Sequence, residues 1–167
     1  SLGGSGILSW LSREAIDGNS DFKNDLVSNG SYIELTDWVA DEQNIYVDMA
    51  ANYNHKIEAL GNFRPSGMIW YQGESDIGRS ADRYSRAFDL MQRSYSELFD
   101  CDGLLPVIYT QLAAYQYHNP NSTDLSDMNI GFTDMPKKAA DSRAVVSIYD
   151  VPLTYLPVAG AIHPQCK

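Results

Sequence analysis

Residues capable of chemistry are concentrated in three stretches of the sequence, "SLGGSG", "WYQGESD" and "AIHPQCK". In the last stretch, His163 precedes Pro164, which restricts the backbone of the residue before it to extended geometry and so fixes the direction of the imidazole. Imidazole titrates near neutral pH and is a common general base. His163 is therefore a candidate base, and an ordinary loop histidine is the alternative.

Two features could stabilise negative charge that develops on a substrate oxygen. Gly3 and Gly4 offer backbone N–H groups at a predicted tight turn before a helix. Gln72 would present its side-chain amide at the end of a predicted strand. Donors placed in this way stabilise the oxyanion of a tetrahedral intermediate. The alternatives are that the glycine pair forms an ordinary turn and that Gln72 marks an ordinary strand end.

The nucleophile that such a hydrolase needs is not visible in these residues. No serine lies in a predicted strand-to-helix elbow, and the G-x-S-x-G pattern is absent. Glu74 and Asp76 raise the rival interpretation of a glycosidase. That mechanism needs carboxylates on opposite sides of a sugar, and two acids at one strand exit need not lie so. The pattern therefore disfavours a glycosidase.

The elements that position these residues follow from the spacing of apolar side chains. Strands are predicted over 68–71, 105–112 and 144–150, and helices over 7–16, 46–60, 82–99 and 128–140, the last bent or restarted at Pro136. Residues 17–43 are rich in Asp, Asn, Ser and Gly and are predicted to form a long surface excursion. Strands alternating with helices predict a parallel sheet, with a ligand crevice at the carboxyl ends of the strands.

Composition fits one soluble globular domain and excludes several partners. The 167 residues carry a net charge of -10, so neither nucleic acid nor an anionic membrane is an expected partner. No apolar run approaches the roughly 20 residues that span a bilayer. Cys101 and Cys166 are either free thiols or one disulfide. Asn29 and Asn121 begin N-x-S/T triplets, which would accept glycans if the protein passes through a secretory pathway. The expected location is therefore secreted, lysosomal or periplasmic.

Residues 67–76, "GMIWYQGESD", carry a resemblance to a known family. They resemble the G-x-I-W-Y-Q-G-E-[SA]-[ND] block of sialate O-acetylesterases and the related carbohydrate esterase family 6, a branch of the SGNH hydrolases. The stretches "SLGGSGILSWL", "YNHKIEAL", "LPVIYTQLAAY" and "AIHPQCK" resemble neighbouring blocks. All of them occur in family order and together cover essentially the whole chain.

The resemblance implies a three-layer α/β/α, flavodoxin-like SGNH fold with a mainly parallel sheet. It implies that a serine alkoxide attacks an O-acetyl group on a sugar and that water then releases acetate, without a metal or organic cofactor. It makes His163 the general base, one or both of Gly3 and Gly4 a backbone oxyanion donor, and Gln72 the counterpart of the asparagine that helps to name SGNH enzymes. Glu74 becomes a polar residue that shapes the site.

The sequence departs from the family pattern at the nucleophile and at the acid that orients the histidine. The family serine lies in a G-x-S-N block upstream of the Gly-Gly turn. We therefore expect an N-terminal segment or chain of the same protein to supply it, and we expect one SGNH domain, 1–167, that is incomplete and does not fold or act alone. Many relatives place an aspartate two or three residues before the histidine, where this chain has Ala161 and Gly160. Asp150 is the nearest replacement, and a Ser-His dyad or support from Glu74 are the alternatives.

The expected substrate is an acetylated carbohydrate whose identity the sequence leaves open. Tyr115 and Tyr117, in a predicted loop, are candidates to stack on sugar faces, whereas Trp10 and Trp70 are expected in the core. A non-catalytic carbohydrate-binding relative of the esterases is the alternative function.

Overall fold

The computed structural model describes residues 4–33, 48–113 and 123–148, together with the backbones of 153–155 and 162–164. A parallel sheet of three strands lies at its centre, in the order β1-β2-β3. The strands are β1 (Met68–Trp70), β2 (Val107–Thr110) and β3 (Arg143–Val146). The predicted α/β class with a parallel sheet is confirmed.

Four α-helices accompany the sheet, namely α1 (Arg13–Asp17), α2 (Ser20–Ser28), α3 (Ala81–Leu98) and α4 (Asp124–Asp134). Helices α3 and α4 form the crossovers between consecutive strands. Helix α3 begins after Ser80, whose hydroxyl accepts the Arg83 N–H, and it buries apolar side chains one turn apart. The Tyr109 hydroxyl of β2 donates to the Phe132 carbonyl of α4 at 2.7 Å, which ties this helix to the same face of the sheet.

The chain before the sheet differs from its predicted form. A 3-10 helix, Ile7–Trp10, and α1 replace the single helix predicted over 7–16, because Leu11 is extended and the Ser12 side chain starts a new helix by accepting the Ala15 N–H. The surface excursion predicted over 17–43 is wrong at its start. Helix α2 forms within this range because the Asn19 side chain caps it and because Phe22 and Leu26, one turn apart, are buried.

Other predicted elements are shorter or differently built. The described part of 46–60 is irregular, with a π-helical turn at Tyr53–Ile57 and a 3-10 turn at Glu58–Leu60. Helix α4 starts four residues earlier than predicted. A 3-10 turn, Met135–Lys138, follows it at Pro136, since proline cannot continue the α-helical hydrogen bonds. An antiparallel pair, β4 (Leu153–Tyr155) and β5 (Ile162–Pro164), was not predicted.

The two faces of the parallel sheet differ in burial. Trp70, Phe88, Tyr109 and Phe132 pack on the face that α3 and α4 cover, with neighbouring ring centroids 5.3 to 6.4 Å apart. On the opposite face, Ile69, Ile108 and Val146 are exposed to 85%, 51% and 45%. Ile69 and Ile108 are register partners, and Val146 lies on the same face two residues beyond Ala144, the register partner of Ile108. We refer to Ile69, Ile108 and Val146 together as the apolar row.

Among the described residues, no helix is both long enough and apolar enough to cross a membrane.

Candidate active site

The exit of β1 folds back on itself immediately after the strand. Gln72 is buried, and Gly73 has a φ of 138°, a conformation that disfavours any residue with a side chain. A Cβ at Gly73 would also lie 3.0 Å from the Phe132 ring. The 3-10 turn Glu74–Asp76 follows and brings Asp76 back to the Gln72 side chain.

Asp76 joins this turn to the N-terminal part of the chain. Its Oδ2 accepts hydrogen bonds from Gln72 Nε2 at 2.7 Å and from the Ile7 backbone N–H at 2.8 Å. Its side chain is 3% exposed, and Arg79 Nη1 lies 3.4 Å from Oδ1. Burial raises the pKa of Asp76, while the hydrogen bonds from Gln72 and Ile7 oppose that rise. The carboxylate is thus held by two N–H donors in a nearly dry environment.

Tyr84 fixes the orientation of the Gln72 carboxamide. The indole N–H of Trp70 can only donate, and it donates to the Tyr84 oxygen at 3.1 Å. The Tyr84 hydrogen is therefore free to donate to Gln72, whose side-chain Oε1 and backbone carbonyl lie 2.8 and 2.9 Å away. Gln72 Nε2 then faces Asp76 and the Ser5 carbonyl, 2.7 Å away. Both amide hydrogens are engaged within the chain.

The N-terminal turn lies directly against Gln72. Gly4 adopts a φ of 81°, as the predicted tight turn requires, and the Ser5 hydroxyl accepts the Trp10 indole N–H at 2.9 Å. The hydrogen bond from Gln72 to the Ser5 carbonyl brings one predicted oxyanion donor beside the turn that carries another. Gly3 lies outside the described residues.

The remaining predicted site residues are only partly described. Glu74 is half-buried and begins the 3-10 turn. The backbone of His163 is extended in β5 and pairs with Thr154, as Pro164 predicts, but nothing of its side chain is described. Asp150, Tyr115 and Tyr117 lie outside the described residues. Their roles stay predictions.

A cleft of about 350 Å³ lies at the carboxyl ends of β2 and β3, where parallel sheets form ligand crevices. Its polar lining is uncharged and comes from Gln111, Ser126, Asn129, Thr133 and Ser147. Gln111 Nε2 donates to the Thr133 hydroxyl at 2.8 Å. In the described part of the chain, no group of three or more His, Cys, Asp or Glu side chains is arranged to hold a metal ion.

Sequence reasoning missed the roles of Asp76 and Tyr84. Asp76 was considered only as one half of a glycosidase pair, yet its buried side chain binds Gln72 and Ile7 instead. The four-residue spacing of Gln72 and Asp76 around a glycine was the available signal. Tyr84 lies within the helix predicted over 82–99, and nothing in the spacing of apolar residues there marks its hydroxyl.

Fold and site together define an α/β protein with a parallel sheet and with polar groups gathered at the exit of its first described strand. A family described as carbohydrate esterase, sialic acid-specific acetylesterase, matches residues 25–146. The chain belongs to this family of carbohydrate esterases.

Individual relatives are more distant. The chain is 25% identical over 131 residues to the sialate O-acetylesterases of Mus musculus and Rattus norvegicus, in an alignment that covers 69% of this chain and 23% of each relative. It thus spans about a quarter of their length. The fold is also similar to that of a carbohydrate acetylesterase from Xanthomonas citri, with a TM-score of 0.59 and 22% identity over 89% of this chain and 29% of the other.

Proposed function

We propose that this chain forms part of a carbohydrate O-acetylesterase of the sialate O-acetylesterase type. Support comes from its membership of the carbohydrate esterase family over residues 25–146 and from the names of its mammalian relatives. The single observation that carries the proposal is the 2.7 Å contact between Gln72 Nε2 and the Ser5 carbonyl. It joins the amide expected to bind an oxyanion to the glycine turn expected to do the same.

The proposed reaction is a two-step transfer of the acetyl group. A serine hydroxyl loses its proton to His163 and attacks the acetyl carbonyl. The resulting oxyanion accepts hydrogen bonds from the backbone N–H groups of Gly3 and Gly4 and from the side-chain amide of Gln72. His163 returns the proton to the departing sugar oxygen. A water molecule then gives a proton to His163 and attacks the acyl-enzyme, and His163 passes this proton to the serine oxygen as acetate is released.

Two details of the proposed reaction concern residues around this centre. Gln72 can reach the oxyanion only by exchanging one of its present acceptors, and the neutral Ser5 carbonyl is the weaker of the two. Asp150 is proposed to orient His163, with Glu74 or a Ser-His dyad as alternatives. Tyr115 and Tyr117 are proposed to stack on the sugar.

The nucleophilic serine is proposed to come from an N-terminal segment or chain of the same protein. The exposed apolar row of Ile69, Ile108 and Val146 supports this, because both faces of a parallel sheet are ordinarily covered. We propose an exported location, in which Asn29, exposed at the end of α2, would accept a glycan.

Acetate release from a panel of acetylated sugars by the complete protein tests the proposal. The panel includes 9-O-acetylated sialic acid and acetylated xylan, and H163A is the control. We expect release from at least one sugar and a loss of about 10³-fold or more in H163A. Sugar binding without any acetate release would instead support the carbohydrate-binding alternative and overturn the esterase.

A companion variant addresses the orienting acid. D150N is expected to lower turnover by orders of magnitude, since an imidazole without its orienting carboxylate is held in the wrong tautomer. Near full turnover in D150N would remove Asp150 from the triad and leave the esterase proposal intact.

A further inference from the structure

We infer that Asp76 is the positioning residue of the proposed oxyanion site, because it fixes the N-terminal glycine turn and the Gln72 amide relative to each other. The inference rests on the proposed function for its catalytic consequence. Its structural part, a buried carboxylate that joins two distant segments, stands on the contacts alone.

The first argument concerns what Asp76 does for the N-terminal turn. Ile7 begins a 3-10 helix, and the backbone N–H groups at a helix start have no partner within the helix. Gly6 occupies the capping position and provides no side-chain hydrogen bond. Asp76, 69 positions further along the chain, accepts the Ile7 N–H at 2.8 Å and so acts as the missing cap. The turn that carries Gly4 is thereby anchored to the exit of β1.

The second argument concerns Gln72. The same oxygen, Oδ2 of Asp76, accepts a hydrogen bond from Gln72 Nε2 at 2.7 Å, while the Tyr84 hydroxyl lies on the other side, 2.8 Å from Gln72 Oε1 and 2.9 Å from the Gln72 backbone carbonyl. With both ends of the carboxamide held, the side chain cannot turn over without leaving two buried polar groups unpaired. One amide hydrogen stays on Asp76, and the other, now on the Ser5 carbonyl, is the one available to a substrate.

The third argument concerns how closely the carboxylate fits its site. A Cβ at Gly6 would already lie 3.4 Å from Asp76 Oδ1, so a larger side chain there would displace the carboxylate. Arg79 pairs with Oδ1 at 3.4 Å from a side chain that is 51% exposed. Solvent screens the half-exposed guanidinium, and its contact is longer than the two contacts to Oδ2, so the two N–H donors hold the carboxylate more closely than Arg79 does. Arg79 therefore provides a control variant.

The catalytic consequence is a loss of turnover rather than of binding. Oxyanion donors act when the tetrahedral intermediate forms, and a misplaced donor slows that step. Sugar contacts elsewhere are unaffected. Weakening the contacts to Asp76 is thus expected to lower kcat and leave KM nearly unchanged.

Steady-state kinetics of the complete protein, with 4-nitrophenyl acetate and the best acetylated sugar, test this consequence. D76A is expected to lower kcat about 10²-fold, the effect of removing one oxyanion donor, with KM within about threefold. D76N keeps an oxygen at this position but loses the charge, which weakens both hydrogen bonds, so we expect about a tenfold loss. R79A is expected to stay within about twofold of the parent.

Amide hydrogen exchange at Ile7 gives a readout that does not depend on activity. D76A and D76N are expected to exchange this hydrogen faster than the parent protein, by more in D76A, whereas R79A leaves it unchanged. Should D76A fail to fold, D76N decides both measurements.

Parent-like kcat together with parent-like Ile7 exchange in D76N would overturn the inference. A parent protein that hydrolyses no acetyl ester would instead overturn the proposed function, and the Ile7 exchange rates would still test whether Asp76 anchors the turn.

Discussion

At the scale of single residues, the Tyr84 hydroxyl links the core to the candidate site. It accepts from Trp70 and donates to Gln72, and burial raises its pKa well above the usual range, so it remains protonated. Y84F would leave the Trp70 N–H and the Gln72 oxygen buried without this partner. We expect it to lower the free energy of unfolding by about 1–3 kcal/mol, measured by urea denaturation of the complete protein.

Tyr109 offers a matched control for Y84F. It is as deeply buried, but its hydroxyl contacts the Phe132 carbonyl alone among the hydrogen bonds described for it. Y109F should cost less, about 1 kcal/mol, because one hydrogen bond is lost instead of two. A Y109F protein less stable than Y84F would contradict the assigned role of Tyr84.

Asp17 predicts how stability depends on pH. Partial burial acts to raise the pKa of Asp17, but hydrogen bonds from Tyr32, Arg13 and Lys23 outweigh this effect and lower the pKa to about 2. The folded value lies below the unfolded one. The stabilisation that Asp17 contributes to the folded state is therefore complete at pH values above its unfolded pKa and is lost as the pH falls toward 2. Since Asp17 is about one-third exposed, we expect roughly 1 kcal/mol after screening.

D17N checks this expectation by urea denaturation of the complete protein at pH 7 and pH 3. The variant should be less stable at pH 7 and should lose less stability than the parent on acidification. An identical loss in both proteins would show that other carboxylates set the acid sensitivity.

At the scale of elements, the turn after β1 depends on the absence of a side chain at Gly73. G73A combines an unfavourable φ of 138° with a Cβ 3.0 Å from the Phe132 ring. Backbone strain and overpacking each cost about 1–3 kcal/mol, so we expect a loss of several kcal/mol and a displaced Gln72.

Gly30 separates the two causes of that loss. Its φ is 73°, but a Cβ there would meet nothing within 4 Å. G30A should therefore show backbone strain alone, about 1 kcal/mol, in thermal denaturation of the complete protein. Equal shifts in melting temperature for G73A and G30A would mean that the contact with Phe132 is unimportant.

Some elements could be predicted from sequence because their patterns are dominated by burial. The apolar residues of α3 recur at helical spacing, and 68–71 is a short apolar run behind a glycine, so both were located to within two residues. Helix α2 was missed because the Asn, Asp and Ser residues that cap and cover it are also typical of loops.

In the candidate site, too, some features could be predicted from the sequence and others could not. The position of Gln72 at the exit of β1 could be predicted because this residue directly follows a predicted strand. The bond between Asp76 and the Ile7 N–H could not be predicted, because it joins residues 69 positions apart and one partner is a backbone group that has no residue-type signature. The spacing of apolar residues that predicts the helix over 82–99 says nothing of the hydrogen bonds that Tyr84 makes.

At the scale of the whole molecule, the exposed apolar row of the sheet is where the proposed remainder of the protein would pack. Ile108 in this row is 51% exposed, and Val27 on α2 is 52% exposed, so the two have matched accessibility. If another segment covers the sheet, I108D buries a charge there and costs the complete protein at least about 2 kcal/mol, whereas V27D stays within about 0.5 kcal/mol.

Urea denaturation of the two variants, each as the complete protein, provides the measurement. Equal stability of I108D and V27D would show that no segment packs on this face.

The 167-residue chain by itself is expected to lack a cooperative melt and esterase activity, and finding both would contradict the proposed covering segment.

The contacts that define the candidate site also bear on the order of folding. Gln72, Asp76 and Tyr84 are at most 12 positions apart and can meet early, whereas their bonds to Ser5 and Ile7 close loops of 67 and 69 residues. Closing a long loop carries an entropic cost that is recovered only once the intervening chain has packed. The proposed oxyanion arrangement therefore belongs to the last stage of folding, and a partly folded molecule, although it would already hold the strand exit, would lack the proposed means of hydrolysing an ester.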